Sequence, residues 1–405
     1  MMLKRLKPEE VPRIRRDPVD ARARSIAEPI VEAVRTEGEV AVRRYAEQFG
    51  DIPQGAKLVI GQSELRDAYD SLDAEQRMML DRTAARIRSF AAAQRESITE
   101  VTVPIPGGEA GHTVSACEAA GCYAPGGRYP LPSTVLMTAV TARVAGCKRV
   151  VVASPKPSKV TLAAAYVAQV DMLLPIGGAH AIAALAYGAG TLLEPCDAVC
   201  GPGNMYVTAA KSLVAGRVAI DMLAGPSECL VLADEQASPS VVAADLLAQA
   251  EHDPMAIPAL VCLSETFAKA VDAEIVAQLK VLPTAEIAVQ ALKNGYTVVV
   301  ESVAAGAEMC DRLAIEHLEL HVEDAPAVAK TIDHCARSRR TRTCTRTLLN
   351  AQPSSTLTYL VLNCAQTAAS LWVPVRRRSS ATTVLVRTTR CRRAARHVLQ
   401  AGFAC

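Results

Sequence analysis

Apolar residues recur at steps of three and four positions through the first hundred residues, most clearly over 18–50 and 72–98. This spacing predicts amphipathic helices, because side chains three and four positions apart lie on one face of a helix. Asp73 stands at the N-cap position of the second stretch, where its carboxylate can accept hydrogen bonds from the first turn. The N-terminal region is therefore predicted to be helical.

From residue 121 the pattern changes to short apolar runs, at 149–155, 172–176 and 197–200, separated by helical stretches rich in small residues. This alternation predicts a parallel sheet. Glycine turns, among them Gly177-Gly178 and Gly201-Pro-Gly-Asn204, stand at the carboxyl ends of strands. Backbone amides can bind an anion at such a turn, but no turn spells the GxGxxG sequence of dinucleotide-binding sites. A nucleotide site and a plain tight turn both remain open at this point.

The alternation returns further along, with helical stretches at 239–253 and 264–282 and apolar strands at 259–264 and 297–302. A second α/β lobe is therefore expected. We predict an α/β fold of two Rossmann-like α/β lobes with parallel-rich sheets and a helical N-terminal region.

The predicted lobes divide the chain into three parts. Residues 1–120 and 228–333 are expected to form a discontinuous first lobe. Residues 121–227 are expected to form a cofactor-binding lobe. Residues 334–405 form an Arg-rich tail that is expected to be disordered or poorly packed.

The formal net charge of +2 is the sum of two opposite parts, which meet at Asp333, the last acidic residue. Residues 1–333 hold 31 Lys and Arg against 42 Asp and Glu, a net charge of −11. Residues 334–405 hold 13 Arg, no Lys and no acidic residue, a net charge of +13.

Two explanations fit this basic segment. One is an arm that neutralises nucleic-acid phosphates. The other is GC-rich coding DNA translated out of frame, which accounts for Arg without Lys, the many Ser and Thr, and five of the 13 cysteines. We favour the second hypothesis and expect no nucleic-acid partner.

No apolar run reaches the roughly 18–20 residues that span a bilayer, and the first 18 residues lack the apolar centre of a signal peptide. The cysteines are scattered without a CxxC pair, so most are expected to be buried thiols rather than disulfides or metal ligands. These features predict no membrane partner and a location in the cytoplasm or an organelle matrix.

Gln249 and His252 stand three positions apart on the helix predicted over 239–253, so their side chains share one face. Imidazole is a good zinc ligand and an amide oxygen a tolerable one, but a zinc site needs at least one further protein ligand. A shared metal and a polar helix end satisfied by hydrogen bonds are both compatible with this spacing.

Glu316 and His317 are adjacent, so on a regular element their side chains diverge, which suits two groups that serve opposite sides of one substrate. Histidine titrates near neutrality and burial raises the pKa of a glutamate, so both are candidate proton carriers. The remaining histidines have no partner that the sequence identifies and are expected on the surface or in the core: His112, His180, His321, His334 and His397.

A series of short motifs, in order, resembles the histidinol dehydrogenase family over about residues 20–335. The motifs are Tyr123-Ala-Pro-Gly-Gly127 with Pro132-Ser-Thr134, Gly177-Gly-Ala179, Gly201-Pro-Gly-Asn204, Ile220-Asp-Met222, Ala224-Gly-Pro-Ser-Glu228, Gln249-Ala-Glu-His252 and Glu316-His-Leu318. Chance does not assemble such an order. The resemblance implies a homodimeric, NAD-dependent zinc enzyme of histidine biosynthesis, which oxidises L-histidinol to L-histidine through L-histidinal in two hydride transfers.

The resemblance also assigns roles around the substrate. It implies that Gln249 and His252 bind zinc, and that the zinc holds the imidazole and amine of the substrate. Ser227 and His317 are implied to contact the substrate as well. His317 would accept the alcohol proton as hydride leaves, and Glu316 would activate the water that attacks the aldehyde.

For the cofactor, the resemblance implies that Tyr123 and Asn204 contact NAD. The family's NAD-contacting glutamine is His180 here, which is expected to keep the position but to bind the cofactor less well. Leu223 and Ile315 each replace a proline beside a functional residue, so the chain loses two restrictions on φ.

After about residue 336 the resemblance ends. The family's Gly-Asp-Tyr segment with a zinc-binding Asp, its Gly-Pro-Asn-His segment and its terminal Glu and His have no counterpart here. Two zinc ligands instead of four predict weak zinc binding and little or no activity. The alternative hypothesis is a non-catalytic NAD- or ligand-binding protein whose basic tail binds an acidic partner.

Overall fold

Two parallel sheets organise the described part of the chain, which comprises residues 3–11, 17–126, 131–223, 227–333 and the backbone of 338–340. In this computed structural model the residues divide into two units. The first unit holds the described residues up to 20 and those after 223, and the second unit holds those between.

The chain begins in the first unit with strand β1 (Lys4–Leu6) and a 3₁₀ turn (Pro8–Glu10). The helical N-terminal region follows. Asp73 caps the fourth of the helices as predicted, because its side chain accepts a 2.7 Å hydrogen bond from the backbone N–H of Gln76. The four helices are α1 (Ala21–Glu37), α2 (Glu39–Gln48), α3 (Gln62–Asp70) and α4 (Ala74–Glu96).

The second unit continues with an antiparallel hairpin and a parallel sheet. The strands are β2 (Val101–Ile105) and β3 (Gly108–His112) of the hairpin, then β4 (Ala119–Tyr123), β5 (Arg149–Ala153), β6 (Met172–Leu174), β7 (Ala198–Cys200) and β8 (Ala219–Ile220). The sheet has the order β6-β5-β4-β7-β8. The helices are α5 (Pro132–Val135), which leads through a π-helical turn (Leu136–Val140) into α6 (Thr141–Ala145), then α7 (Lys159–Val167), α8 (Gly178–Tyr187) and α9 (Met205–Val214).

The first unit contains the second parallel sheet. Its strands are β9 (Glu228–Ala233), β10 (Ile257–Cys262), β11 (Tyr296–Val299), β12 (His317–His321) and β13 (Ser338–Arg340). Its helices are α10 (Pro239–Ala250), α11 (Glu265–Leu279), α12 (Ala285–Leu292), α13 (Val303–Leu313) and α14 (Ala325–Val328). The strand order is β1-β11-β10-β9-β12-β13.

Both faces of the first unit's sheet are buried. Along β9, Cys229 and Val231 belong to one apolar cluster, while Leu230 and Leu232 belong to another. Successive side chains of a strand point to opposite faces, so the two clusters cover the two sides of the sheet. This explains why the strands of the chain are continuous apolar runs rather than alternating ones.

The predicted fold class is confirmed: both units are α/β with parallel sheets, and the strands and helices expected from residue 121 onward are present. The division into units differs from the expected lobes, because residues 21–120 cluster with residues up to 223. Helix α1 packs against α8 and α9, and Ile60 forms an antiparallel bridge with Leu173 of β6. Apolar periodicity identifies the buried face of a helix but does not say which sheet covers it.

Eight cysteines lie among the described residues, and all are buried free thiols, as expected: Cys117, Cys122, Cys147, Cys196, Cys200, Cys229, Cys262 and Cys310. The Arg-rich tail, apart from the backbone of 338–340, lies outside the described residues, and so do His334 and His397. Of the helices that the structure describes, none combines the length and the apolar character needed to cross a membrane.

Candidate active site

The amino-terminal edge of the first unit's sheet gathers the residues predicted to act on substrate. Ser227 immediately precedes β9, and its backbone carbonyl accepts a 3.1 Å hydrogen bond from Ile257, the first residue of β10. His317, the first residue of β12, is paired in register with Cys229 of β9. The starts of three neighbouring parallel strands therefore meet at this edge.

Helix α10 ends close to the same edge and carries the two predicted metal ligands. Gln249 lies in its last turn and is 1% exposed, and His252 follows the helix and is exposed. Neither the oxygen nor the nitrogen of the Gln249 amide has a hydrogen-bond partner among the described residues. An unsatisfied buried polar group costs about 1–3 kcal/mol, so this amide fits a ligand that binds to it.

Glu316 and His317 form a close pair rather than a diverging one. His317 Nε2 lies 3.6 Å from Glu316 Oε1, with side-chain exposures of 13% and 26%. The expectation that the two side chains diverge is therefore wrong. That expectation assumed that both residues lie on one regular element. Glu316 instead precedes β12 and follows a turn in which Ala314 has a φ of +50°.

At the carboxyl edge of the second unit's sheet, backbone amides of the glycine turns are already bonded to the protein itself. The phenolic oxygen of Tyr123 accepts a 3.1 Å hydrogen bond from Gly178 N–H. The ring is 3% exposed, and burial raises the pKa of Tyr123. Asn204 is exposed, but its Oδ1 caps α9 by accepting from Tyr206 and Val207 N–H at 3.1 and 3.2 Å.

His180 lies inside the second unit, at the start of α8. Its ring is 1% exposed and contacts the rings of Tyr45 and Phe49. Its Nε2 is 3.1 Å from Asp51 Oδ2, which also accepts a 2.8 Å hydrogen bond from Gly177 N–H. The predicted contact of His180 with a cofactor would require the side chain to move.

A buried ion pair supports the turn that contains Gly201. Lys211 is 3% exposed, and its Nζ donates to Gly201 O at 3.0 Å and to Asp221 Oδ1. Asp221 Oδ2 accepts a 2.7 Å hydrogen bond from Gly201 N–H. The Ile220-Asp-Met222 motif therefore holds the backbone of this turn, a role that no short-range sequence pattern signals.

The structure groups the predicted site residues in two sets. Ser227, Gln249, His252, Glu316 and His317 belong to the first unit. The predicted cofactor residues belong to the second unit: Tyr123, His180 and Asn204.

Sequence reasoning missed a third group, in the first unit. The side chain of His321 is 8% exposed and lies beside two carboxylates: its Nε2 is 2.9 Å from Asp245 Oδ2 and 3.8 Å from Glu319 Oε2. Asp245 is far from the other two residues in the chain, so only the alternation of Glu319 and His321 on one strand face could have pointed to this group. His112, by contrast, is exposed as expected, and its Nε2 lies 3.1 Å from Thr99 O.

Two α/β units with parallel sheets and glycine turns at strand ends are typical of the dehydrogenase class. The family model "Histidinol dehydrogenase" matches residues 14–337. The chain belongs to the histidinol dehydrogenase family. The family membership expected from the motifs is confirmed, and the match ends close to residue 336, where the resemblance also ends.

Individual relatives agree with the family model. The chain is 42% identical to a histidinol dehydrogenase of Geobacillus kaustophilus over 311 residues, which cover 75% of this chain and 73% of the relative. It is also 42% identical to one from Thermus thermophilus over 306 residues, with coverages of 75% and 73%. The crystal structure of histidinol dehydrogenase from Elizabethkingia anophelis superposes with a TM-score of 0.74 at 30% identity, covering 84% of this chain and 77% of that chain.

Proposed function

We propose that the protein oxidises L-histidinol to L-histidine with NAD, and that Glu316 and His317 carry the protons. The observation that supports this best is the pair itself, 3.6 Å apart and partly buried at the start of β12. Ser227 and Gln249 belong to the same edge, where neighbouring strands begin and α10 ends. Family membership supplies the reaction.

The two side chains would act in turn. His317 accepts the proton of the substrate alcohol at Nε2 as the alcohol becomes an aldehyde. Glu316 then takes a proton from the water that adds to that aldehyde, before the second oxidation gives the carboxylate. The closeness of the two side chains suits these successive steps, because both protons leave oxygen atoms that are bound to, or add to, the same carbon.

Zinc is the metal that we propose at Gln249 and His252, and it would supply a template that holds the imidazole and amine of the substrate. The residues fit in part. The Gln249 amide is buried without a hydrogen-bond partner among the described residues, which suits a group that coordinates through its oxygen. Only two ligands are assigned, so zinc should be held weakly and turnover should be low.

NAD is the cofactor that we propose for the second unit, and it would accept the hydride. Tyr123, Asn204 and His180 are the proposed contacts. The fit is incomplete, because Tyr123 accepts from the N–H of Gly178 and Asn204 accepts from the N–H groups of Tyr206 and Val207 in the first turn of α9. Those N–H groups are then unavailable to a pyrophosphate. Asn204 is the exposed member and the one that a cofactor can reach without rearrangement.

Several finer assignments belong to the same proposal. Ser227 and His317, with the zinc ligands, would contact L-histidinol, and the protein would act as a homodimer in the cytoplasm or an organelle matrix. The proposal includes neither a membrane nor a nucleic-acid partner. The alternative with a basic partner-binding tail depends on residues outside the described part of the chain, and no described residue favours it.

The experiment is NADH formation from L-histidinol at high protein concentration, with and without excess zinc, so that slow turnover is still measured. We expect slow NADH formation that excess zinc accelerates. His317→Gln should lower the rate by about 10²–10⁴-fold, the usual contribution of a positioned proton carrier, without changing the zinc content. Gln249→Ala should lower the zinc content, and the exposed His112→Gln should change neither.

The outcomes separate the parts of the proposal. Absence of NADH formation even with excess zinc would contradict the activity. An unchanged rate in His317→Gln would contradict the proton role. One tightly held zinc per subunit together with rapid turnover would contradict the proposal that the zinc site lacks half of its ligands.

A further inference from the structure

Three ionisable side chains, two of them buried and one half-buried, meet in the first unit between helix α10 and strand β12. Asp245 comes from α10, one turn before Gln249, and Glu319 and His321 come from β12. Residues two apart on a strand face the same side, so Glu319, His321 and His317 share the face of β12 that meets α10. We call Asp245, Glu319 and His321 the α10–β12 cluster.

The donor atoms of the α10–β12 cluster are close to the spacing of a metal site. One donor atom from each residue lies within 4.8 Å of the others. His321 Nε2 is 2.9 Å from Asp245 Oδ2 and 3.8 Å from Glu319 Oε2. Ligands about 2.0–2.2 Å from a shared cation are roughly 3–3.6 Å from one another, so small side-chain shifts suffice.

His321 is the member that points to a missing ligand. Its side chain is 8% exposed, and its Nε2 makes no hydrogen bond to any described residue, although Asp245 Oδ2 lies 2.9 Å away. Two ligands of a common cation lie close together in this way without a hydrogen bond between them.

Burial gives a second observation. Glu319 is only 5% exposed, so its carboxylate is largely removed from water, and a cation is a favourable partner for a carboxylate in such a position. Asp245 is 19% exposed, so its carboxylate is in contact with solvent.

We propose that the α10–β12 cluster binds a divalent transition-metal ion, separate from the zinc assigned to Gln249 and His252. One imidazole and two carboxylates suit Zn²⁺, Mn²⁺, Co²⁺ or Fe²⁺, and the nitrogen donor disfavours Ca²⁺ and Mg²⁺, which take oxygen ligands. The ion joins α10 to β12. It therefore fixes the spacing between the helix that carries Gln249 and the strand that begins at His317.

The test is metal binding by the full chain after chelation and removal of the chelator. Mn²⁺ is titrated and followed by the electron paramagnetic resonance signal of the free ion, and Co²⁺ and Zn²⁺ by calorimetry. The double variant Gln249→Ala with His252→Ala removes the other proposed metal ligands. We expect it to keep one bound ion per chain.

The cluster variants should lose that ion. Glu319→Gln and His321→Gln, which keep the side chains close to their native size, should weaken binding by about 100-fold or more, because loss of even an outer-shell partner costs about 10–100-fold. Asp245→Asn should weaken metal binding to the same extent. Because Asp245 is the least buried of the three residues, this variant is informative even if the other two variants misfold. His112→Gln is the matched control for loss of an imidazole.

Two results would overturn the proposal. One is a double variant at Gln249 and His252 that binds no metal. The other is His321→Gln and Asp245→Asn proteins that fold, by circular dichroism, and bind Mn²⁺ and Zn²⁺ as the native chain does. Neither measurement depends on NADH formation, so a failure of this proposal can be distinguished from a failure of the proposed dehydrogenase activity.

Discussion

Gly201 shows how closely single residues pack at the strand ends of the second unit. Its φ is +119°, a conformation that residues with a side chain rarely adopt. A Cβ at this position would lie 2.0 Å from the backbone oxygen of Tyr123. The nearest atom belongs to the backbone, so the contact cannot be relieved by a change of side-chain conformation.

Gly201→Ala should therefore destabilise the protein more than the unfavourable φ alone. We expect the free energy of unfolding to fall by about 3 kcal/mol or more, combining backbone strain of about 1–2 kcal/mol with overpacking of about 1–3 kcal/mol. Gly216→Ala is the control, because Gly216 has a φ of +90° with nothing within 4 Å of an added Cβ. Urea denaturation measures both, and equal losses would show that the contact with Tyr123 has no effect.

At the scale of elements, polar caps begin several helices of both units. Ser158 and Asp73 in the second unit, and Ser264 and Ser302 in the first, each accept a hydrogen bond from a backbone N–H of the first helical turn. The first N–H groups of a helix lack partners within the helix, so these contacts fix where it begins. Such signals are local and can be identified in the sequence.

Asp73→Ala should lower the free energy of unfolding by about 1 kcal/mol, because the N–H of Gln76 loses its 2.7 Å partner at the start of α4. Asp73→Asn should stay close to the native value, since an amide oxygen caps nearly as well. Chemical denaturation of the two variants makes the comparison. Equal effects of Ala and Asn would mean that the carboxylate acts by charge and not as a cap.

Contacts between elements, unlike helix caps, cannot be identified from neighbouring residues in the sequence. The α10–β12 cluster is the clearest case. Burial lowers the pKa of His321, but Asp245 and Glu319 more than offset this and raise it to about 9. The imidazolium form therefore stabilises the contact of α10 with β12 when no metal is bound. Asp245 faces the ring from the helix, and Glu319 from the same strand.

This raised pKa makes stability depend on pH in a defined direction. The contribution of His321 is fully present below its unfolded pKa of 6.5 and is lost as the pH rises through about 9. With a chelator present, the native chain should therefore lose a few kcal/mol between pH 6.5 and 9.5 that His321→Gln does not lose. Urea unfolding across this range measures the difference, and parallel curves for the two proteins would contradict it.

At the scale of the whole molecule, two differently composed parts share one chain. Family similarity extends over residues 14–337, and the last acidic residue is Asp333. The change from a net charge of −11 to one of +13 occurs at the point where the family match ends. This coincidence is what a shift of reading frame near residue 336 produces.

The coding DNA tests that hypothesis directly. Translation in the other frames near residue 336 should yield Gly-Asp-Tyr, followed further on by Gly-Pro-Asn-His. A chain rebuilt in that frame should bind zinc more tightly and form NADH faster, because it regains the missing ligands. If no frame contains these segments, the frame-shift account is wrong.

The apolar pattern by itself determines a large part of the fold of this protein. Continuous apolar runs predicted buried parallel strands, three- and four-residue periodicity predicted the N-terminal helices, and Asp73 marked where one of them begins. These features follow from interactions between residues close in the chain, which is why the sequence displays them. Short motifs were enough to identify the family, although the roles of the individual residues in the proposed site remain predictions.

Only the tertiary structure decided which segments meet. It assigned the N-terminal helices to the second unit's sheet, brought the side chains of Glu316 and His317 together, and buried His180 against Asp51. It also joined Asp245 to Glu319 and His321 across more than seventy residues of chain. Burial and electrostatic interactions between residues distant in the chain control these contacts, and neither produces a periodic pattern in the sequence.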